Sequence, residues 1–235
     1  MNEDAGNDIS GSEQKIRMRG ILFGFIPVLF MAAILFGSSG QITWLMAWIF
    51  IGIHSVATII LALTINPALI EERCHRRSGV KKWDRKLVFL LSISGSLTLL
   101  VAGLDKRFYW TDSIPPILQI LGLGLFILGY VILIRAGISN KFFSGVIRIQ
   151  NDRGHHVVTT GPYQYIRHPG YFGLIFCMVG EPLMFTSLWA VIPTVLTVIL
   201  LLIRTYFEDT TLKQELPGYS EYTSQVRFRI IPGVW

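Results

Sequence analysis

The sequence predicts an all-α, polytopic integral membrane protein of about six membrane helices, the last two a helical hairpin, with a cytoplasmic pocket in its C-terminal third. Three observations carry this reading. Only 15% of the 235 residues are charged and 51% are hydrophobic, whereas soluble domains carry about a quarter charged residues. The apolar residues, which raise the mean hydropathy to +0.52, fall in runs of spanning length, about 17–25 residues. The basic residues gather in alternate loops, as the positive-inside rule requires.

Residues 1–12 are acidic and rich in small side chains, which predicts a disordered start to a cytoplasmic tail over 1–19. They lack the basic stretch and immediate apolar core of a cleaved signal peptide, so the first apolar run is expected to stay as a helix. That run covers residues 20–36, and three more follow at 42–65, 87–104 and 114–134. After the polar stretch 135–170 come two closely spaced apolar segments, 171–185 and 188–203, joined only by Thr186 and Ser187. They read as a tight hairpin, and Glu181-Pro182 predicts a kink or early stop in the first. Residues 208–235 are polar again. The chain thus divides into the tail, membrane helices over 20–138, and a functional region over 139–235.

Lys15, Arg17 and Arg19 precede the first run, and Arg73, Arg76, Arg77, Lys81, Lys82, Arg85 and Lys86 follow the second. Arg135, Lys141, Arg148, Arg153 and Arg167 follow the fourth, and Lys213, Arg227 and Arg229 lie in the tail. The opposite side has little beyond Lys106 and Arg107. Both termini are therefore expected in the cytoplasm, and the polar stretches 135–170 and 208–235 on one side, where they can meet. The net charge of +6 is explained by lipid headgroups, without nucleic-acid binding. Trp44, Trp48, Trp83, Trp110 and Tyr109 lie near run ends, as interfacial aromatics do. Cys74 and Cys177 form no CxxC pair and predict neither a zinc site nor a disulfide framework.

Chemistry concentrates in two places. Between His155 and Tyr171 the turn signals Gly161-Pro162 and Pro169-Gly170 bracket Tyr163, Tyr165, Arg167 and His168. A plain connector needs none of these, although an interfacial loop with snorkelling side chains would also carry them. Arg204 and Glu208, four apart on one helical face, close the last span. An exposed pair of this kind is ordinary, but charges at membrane depth usually face a cavity or a partner. Gly122-Leu-Gly124 lies within an apolar run and lacks the third glycine of a dinucleotide fingerprint. His54 is expected to pack between helices, and His155, His156 and His168 lack a carboxylate or cysteine at metal-ligand spacing.

Asn140-Lys141-Phe142-Phe143, Gln150, His155, Gly161-Pro162-Tyr163 and Arg167-His168-Pro169-Gly170-Tyr171 together resemble the isoprenylcysteine carboxyl methyltransferase family. The likeness continues through Arg204, Glu208-Asp209, Leu212, Leu216-Pro217-Gly218-Tyr219, Tyr222, Arg227 and Pro232. It implies a membrane methyltransferase whose S-adenosylmethionine pocket is lined by Gln150, His155, His156, Val157, Val158, Tyr163, His168, Pro169, Gly170, Tyr171 and Glu208. Arg204 would bind the substrate, and Arg204, Glu208 and His168 are the implied catalytic residues. The family often has Glu-Glu where this chain has Glu208-Asp209, which leaves a role for Asp209 open. The acceptor implied is lipophilic, an isoprenylcysteine-like carboxylate or else a lipid amine, reached among membrane lipids without metal or nucleic acid. A carboxylate, with an ordinary pKa of about 3.5, needs no strong base, whereas an amine would need one, with His168 the candidate. An NADPH-dependent sterol-reductase-like enzyme and a non-catalytic lipid-binding protein are the alternatives.

Overall fold

A computed structural model describes residues 3–75, 78–112 and 114–235, with side chains from residue 11 onward. Arg76 and Arg77 of the basic loop, and the first two residues of the expected tail, lie outside the described residues. Eight helices occur among those described: α1 (Glu3–Ser39), α2 (Leu45–Thr64), α3 (Pro67–Cys74), α4 (Lys82–Phe108), α5 (Pro116–Ser139), α6 (Pro169–Met184), α7 (Val191–Glu215) and α8 (Tyr219–Gln225). Five of them, α1 from Gly11, α2, α4, α5 and α7, are long and apolar enough to cross a membrane. Their outward faces carry Leu22, Phe23, Leu29, Phe89, Ile120 and Ile192, all exposed. Such surfaces suit lipid, because in hydrocarbon only a helix satisfies its own backbone polar groups. The chain is an integral membrane protein of all-helical fold.

Helix α6 has 16 residues, about 24 Å at 1.5 Å per residue, against a hydrocarbon core of roughly 30 Å. It is held against α5 by glycines on both helices. A Cβ on Gly173 would lie 2.6 Å from the carbonyl oxygen of Gly129, and one on Gly180 2.6 Å from that of Gly122. Small residues at such spacing let two backbones approach, which is how membrane helices gain packing contacts. Gly122, set aside as a nucleotide fingerprint, is thus a packing residue.

Four local expectations are corrected. Helix α1 begins at Glu3 rather than near residue 20. The helix is braced at Arg17, which bonds Glu13 at 2.6 Å and the carbonyl oxygens of Ala62 and Leu63 at 2.9 and 2.6 Å. Trp44 is not an interfacial anchor, because its ring packs inside the core 5.1 Å from Phe185. Pro169-Gly170 is not a turn but the start of α6, where proline's missing N–H is no loss. The hairpin connection runs from Phe185 to Ala190, longer than Thr186-Ser187. There Ser187 and Thr111 both donate to Asp105 at the end of α4, which ties the hairpin to that helix. His54 packs as expected, among Phe50, Phe126 and Tyr130.

Candidate active site

The segment between α5 and α6 contains only two short 3-10 turns, Asn151–Arg153 and Gly161–Gln164, so side chains must hold it. Buried Arg148 donates to both carboxylate oxygens of Glu72 on α3, each at 2.7 Å, and to Asp152 at 2.8 Å. These hydrogen bonds raise the Arg148 guanidinium above its ordinary value, those from Glu72 most. The Ile147 N–H donates to Asp84 at 2.8 Å. Buried Gln150 donates to the Phe142 carbonyl at 2.9 Å, and its N–H reaches Nδ1 of His155 at 3.3 Å. Gly161 has φ +60, and a Cβ there would lie 2.4 Å from the Ser139 hydroxyl, so this turn needs glycine.

Held in this way, the segment faces the C-terminal end of α7 and helix α8 across a cleft of about 770 Å³, open mouth included. Gln150, His155, His156, Val157, Val158, Tyr163, His168, Gly170, Tyr171 and Glu208 all line it. Pro169 does not: it is buried in the first turn of α6. Tyr165 points away and is 72% exposed. Burial holds the His155 imidazole at about 4, below its ordinary 6.5, aided by His156, Arg148 and Arg153. Burial also pushes the Tyr163, Tyr219 and Tyr222 phenols up, so these rings are neutral. Among the described residues no group of three His, Cys, Asp or Glu side chains is arranged to hold a metal.

Arg204 and Glu208 are brought together, but not as a direct pair. The Tyr171 hydroxyl stands between them, accepting from Nη1 of Arg204 at 2.7 Å and donating to Glu208. Arg204 also donates through Nε to Asp84 at 2.8 Å and through Nη2 to the Gly145 carbonyl at 2.9 Å. It lies outside the cleft wall and lines two adjoining grooves that run between the membrane helices. Tyr171 lines both the cleft and one of these grooves, so it stands where the two compartments meet.

Sequence reasoning missed Asp84 and left the role of Asp209 open. Asp84, fully buried, is the counterion of Arg204, yet it sits in a run of basic residues with nothing in its spacing to mark it. Asp209, fully buried, lies beneath the cleft and does not line it, but binds Arg167, His168 and Tyr219, which do and which form its floor. It accepts from Arg167 at 2.8 and 3.2 Å, Arg229 at 2.9 Å and Tyr219 at 3.1 Å, with His168 at 3.4 Å. Its position beside Glu208, and the basic residues at 167 and 229, were the only signal available.

The model of the isoprenylcysteine carboxyl methyltransferase (ICMT) family matches residues 122–214. Those residues are similar to this family. They contain α6, Arg204, Glu208 and all the segment facing them across the cleft. Protein-S-isoprenylcysteine O-methyltransferase A of Arabidopsis thaliana is 32% identical over 131 residues, 55% of this chain and 61% of that relative. A probable protein-S-isoprenylcysteine O-methyltransferase of Oryza sativa subsp. japonica is 35% identical over 81 residues, 34% of this chain and 39% of that one. The chain therefore spans less than two thirds of these curated relatives. A solved structure of the eukaryotic intramembrane Ras methyltransferase ICMT shares the fold, with a TM-score of 0.56 at 18% identity, covering 100% of this chain and 88% of that one.

Proposed function

We propose that this chain moves a methyl group from S-adenosylmethionine to a carboxylate of a lipophilic acceptor, isoprenylcysteine-like in chemistry. The observation that carries this is the hydrogen-bonded relay Arg204–Tyr171–Glu208, which joins a polar cleft to grooves among the membrane helices. A water-soluble cofactor and a lipid-soluble acceptor need such a junction. The curated relatives named above, isoprenylcysteine O-methyltransferases, support the reaction class.

The cleft suits a cationic cofactor. Glu208 is a partly open carboxylate on its wall, beside the rings of Tyr163 and Tyr171, whose faces attract cations. Apolar Val157, Leu212 and Leu216 offer surface for a flat heterocycle. A phosphorylated dinucleotide fits less well. The wall's guanidinium groups, Arg148 and Arg167, are already committed to Glu72 and Asp152 and to Asp209. S-adenosylmethionine supplies, when bound, a methyl group on a positively charged sulfonium. Gln150, His155, His156, Val157, Val158, Tyr163, His168, Gly170, Tyr171 and Glu208 would hold it, with Glu208 offsetting its charge.

Arg204 would bind the acceptor's carboxylate. Of its five N–H donors, three are used by Asp84, Tyr171 and Gly145, which leaves one N–H on each terminal nitrogen. A carboxylate arrives ionised, so no base is required, and orientation is the protein's contribution, worth up to ~7–11 kcal/mol. His168 lines the cleft and is the candidate base should the nucleophile be an amine. For topology we infer six membrane passages with both termini cytoplasmic. Support comes from the meeting of His168, at the start of α6, with Asp209, near the end of α7, so that the two helices leave and return on one side.

Calorimetric titration of the detergent-purified chain with S-adenosylmethionine and with NADPH tests this reading. Saturable S-adenosylmethionine binding, weakened at least about ten-fold by Glu208→Ala through loss of a charge-assisted contact, is expected. Binding of NADPH alone would refute it.

A further inference from the structure

The two grooves that Arg204 lines differ in character. The first has exposed Arg73, His75 and Arg85 at its rim. Glu72, the one carboxylate among the described residues lining it, is held by Arg148. The second runs between α1, α4, α6 and α7 and encloses about 1140 Å³, its open side included. Apolar Phe30, Met31, Leu91, Met178 and Leu201 line it. Three hydroxyls of its wall are already satisfied: Ser92, Ser96 and Thr197 donate to the carbonyls of Val88, Ser92 and Pro193 at 2.8, 2.7 and 2.7 Å. A hydrocarbon chain suits the second groove, because in the first it would lie against cations that it cannot solvate.

The contacts Asp84–Arg204 at 2.8 Å and Thr98–Thr194 at 3.5 Å show that α4 and α7 run antiparallel along this groove. Gly95, one turn before Thr98, is therefore level with Thr197, which lies seven residues from Arg204, about 10 Å at 1.5 Å per residue. Gly95 has neither of the usual reasons to be glycine. It sits inside α4 with helical backbone, and a Cβ there would meet nothing within 4 Å. Gly103 of the same helix differs, since a Cβ there would collide with Ser38 of α1. Glycine in a helix interior is less favourable than alanine. What the missing side chain of Gly95 provides is room in the groove. At the Arg204 end the groove is equally clear: Gly145, whose carbonyl accepts from Arg204 at 2.9 Å, lines it, and a Cβ there would also meet nothing within 4 Å.

We propose that Gly95 is a specificity-determining residue, whose bare backbone lets the acceptor's isoprenoid tail run along this groove while its carboxylate is held at Arg204. This rests on the acceptor reading above and adds which groove takes the tail and which residue admits it. The main chain of a farnesyl tail, about a dozen bonds of roughly 1.5 Å, spans about 15 Å in zigzag, so it passes the level of Gly95. An ethyl group on the same sulfur ends about 6 Å from the carboxylate, short of that level.

N-acetyl-S-farnesylcysteine and N-acetyl-S-ethylcysteine are suitable probes, used with the full chain in lipid nanodiscs. Transfer of a labelled methyl group from S-adenosylmethionine gives kcat and KM for each, and calorimetry gives binding of the farnesyl compound and of S-adenosylmethionine. Gly95→Leu is expected to raise KM for the farnesyl compound about ten-fold or more, the effect of overfilling a packed space. S-adenosylmethionine binding and kcat/KM for the ethyl compound should stay within about two-fold, because neither ligand reaches the added side chain. Should the leucine variant fail to fold, Gly95→Ala, which favours the helix, is expected to shift the farnesyl KM in the same sense by a smaller factor. An unchanged farnesyl KM, or an equal loss for both compounds, would overturn the proposal and leave the methyltransferase reading standing alone. If no methyl group is transferred but the wild type binds the farnesyl compound and Gly95→Leu does not, the methyltransferase reading falls and the groove assignment stands. Failure of the wild type to bind the farnesyl compound would overturn the proposal.

Discussion

Asp209→Asn isolates the buried electrostatics of the cleft floor. The wild-type carboxylate is fully buried and shared between Arg167, itself buried, and the more open Arg229, with Tyr219 donating as a third partner. Asparagine keeps the shape but removes the charge, and its amide hydrogens face donors. Arg167 then keeps only the Val226 and Arg227 carbonyls, at 2.8 and 2.7 Å, which carry no counter-charge. Breaking one side of a buried pair costs about 3–5 kcal/mol. At about 2–4 °C per kcal/mol for a chain of this size, the melting temperature should fall by ~6–20 °C. Tryptophan fluorescence of the purified protein during heating measures this. The paired change Asp209→Leu with Arg167→Met removes both charges and should be less destabilising than Asp209→Asn alone. A fall under about 2 °C for Asp209→Asn would correspond to less than ~1 kcal/mol and would refute the view that this carboxylate organises the floor.

Other expectations follow from single contacts. Tyr171→Phe removes the hydroxyl that separates Arg204 from Glu208 and should lower turnover by about ten-fold or more, for one lost charge-assisted hydrogen bond; unchanged kcat and KM would sink the relay. Gly173→Val puts atoms into the Gly129 backbone and should destabilise by at least about 1–3 kcal/mol; an unchanged melting temperature would argue against close α5–α6 packing. His155, held at about 4 when folded against 6.5 when free, binds fewer protons folded than unfolded between these values. Stability should therefore fall as pH drops through that window and be unaffected by this group above it. His155→Phe should flatten that part of the profile, as followed by melting temperature between pH 4 and 7.

The fold class was legible because hydrophobicity is summed along the chain: runs long enough to cross hydrocarbon announce themselves without knowledge of neighbours. The basic residues flanking those runs also implied that residues 135–170 and 208–235 share a side, and in the structure the segment ahead of α6 does face the end of α7. Tyr163, Arg167, His168, Gly170 and Tyr171 of the cleft fall in Gly161 to Tyr171, a stretch continuous in sequence and dense in polar and aromatic groups, whereas Gln150, His155 to Val158 and Glu208 were placed in the pocket only through the family resemblance. Pro169 was carried over with its neighbours from the family resemblance, and sequence does not tell which way a helix's first turn faces. What tertiary structure alone decided is pairing. Asp84 meets Arg204 across 120 residues and Glu72 meets Arg148 across 76, separations at which spacing along the chain carries no information. Tyr171 stands between Arg204 and Glu208 for the same reason: an i,i+4 pattern places two side chains on one face, but only packing determines what a neighbouring helix inserts between them.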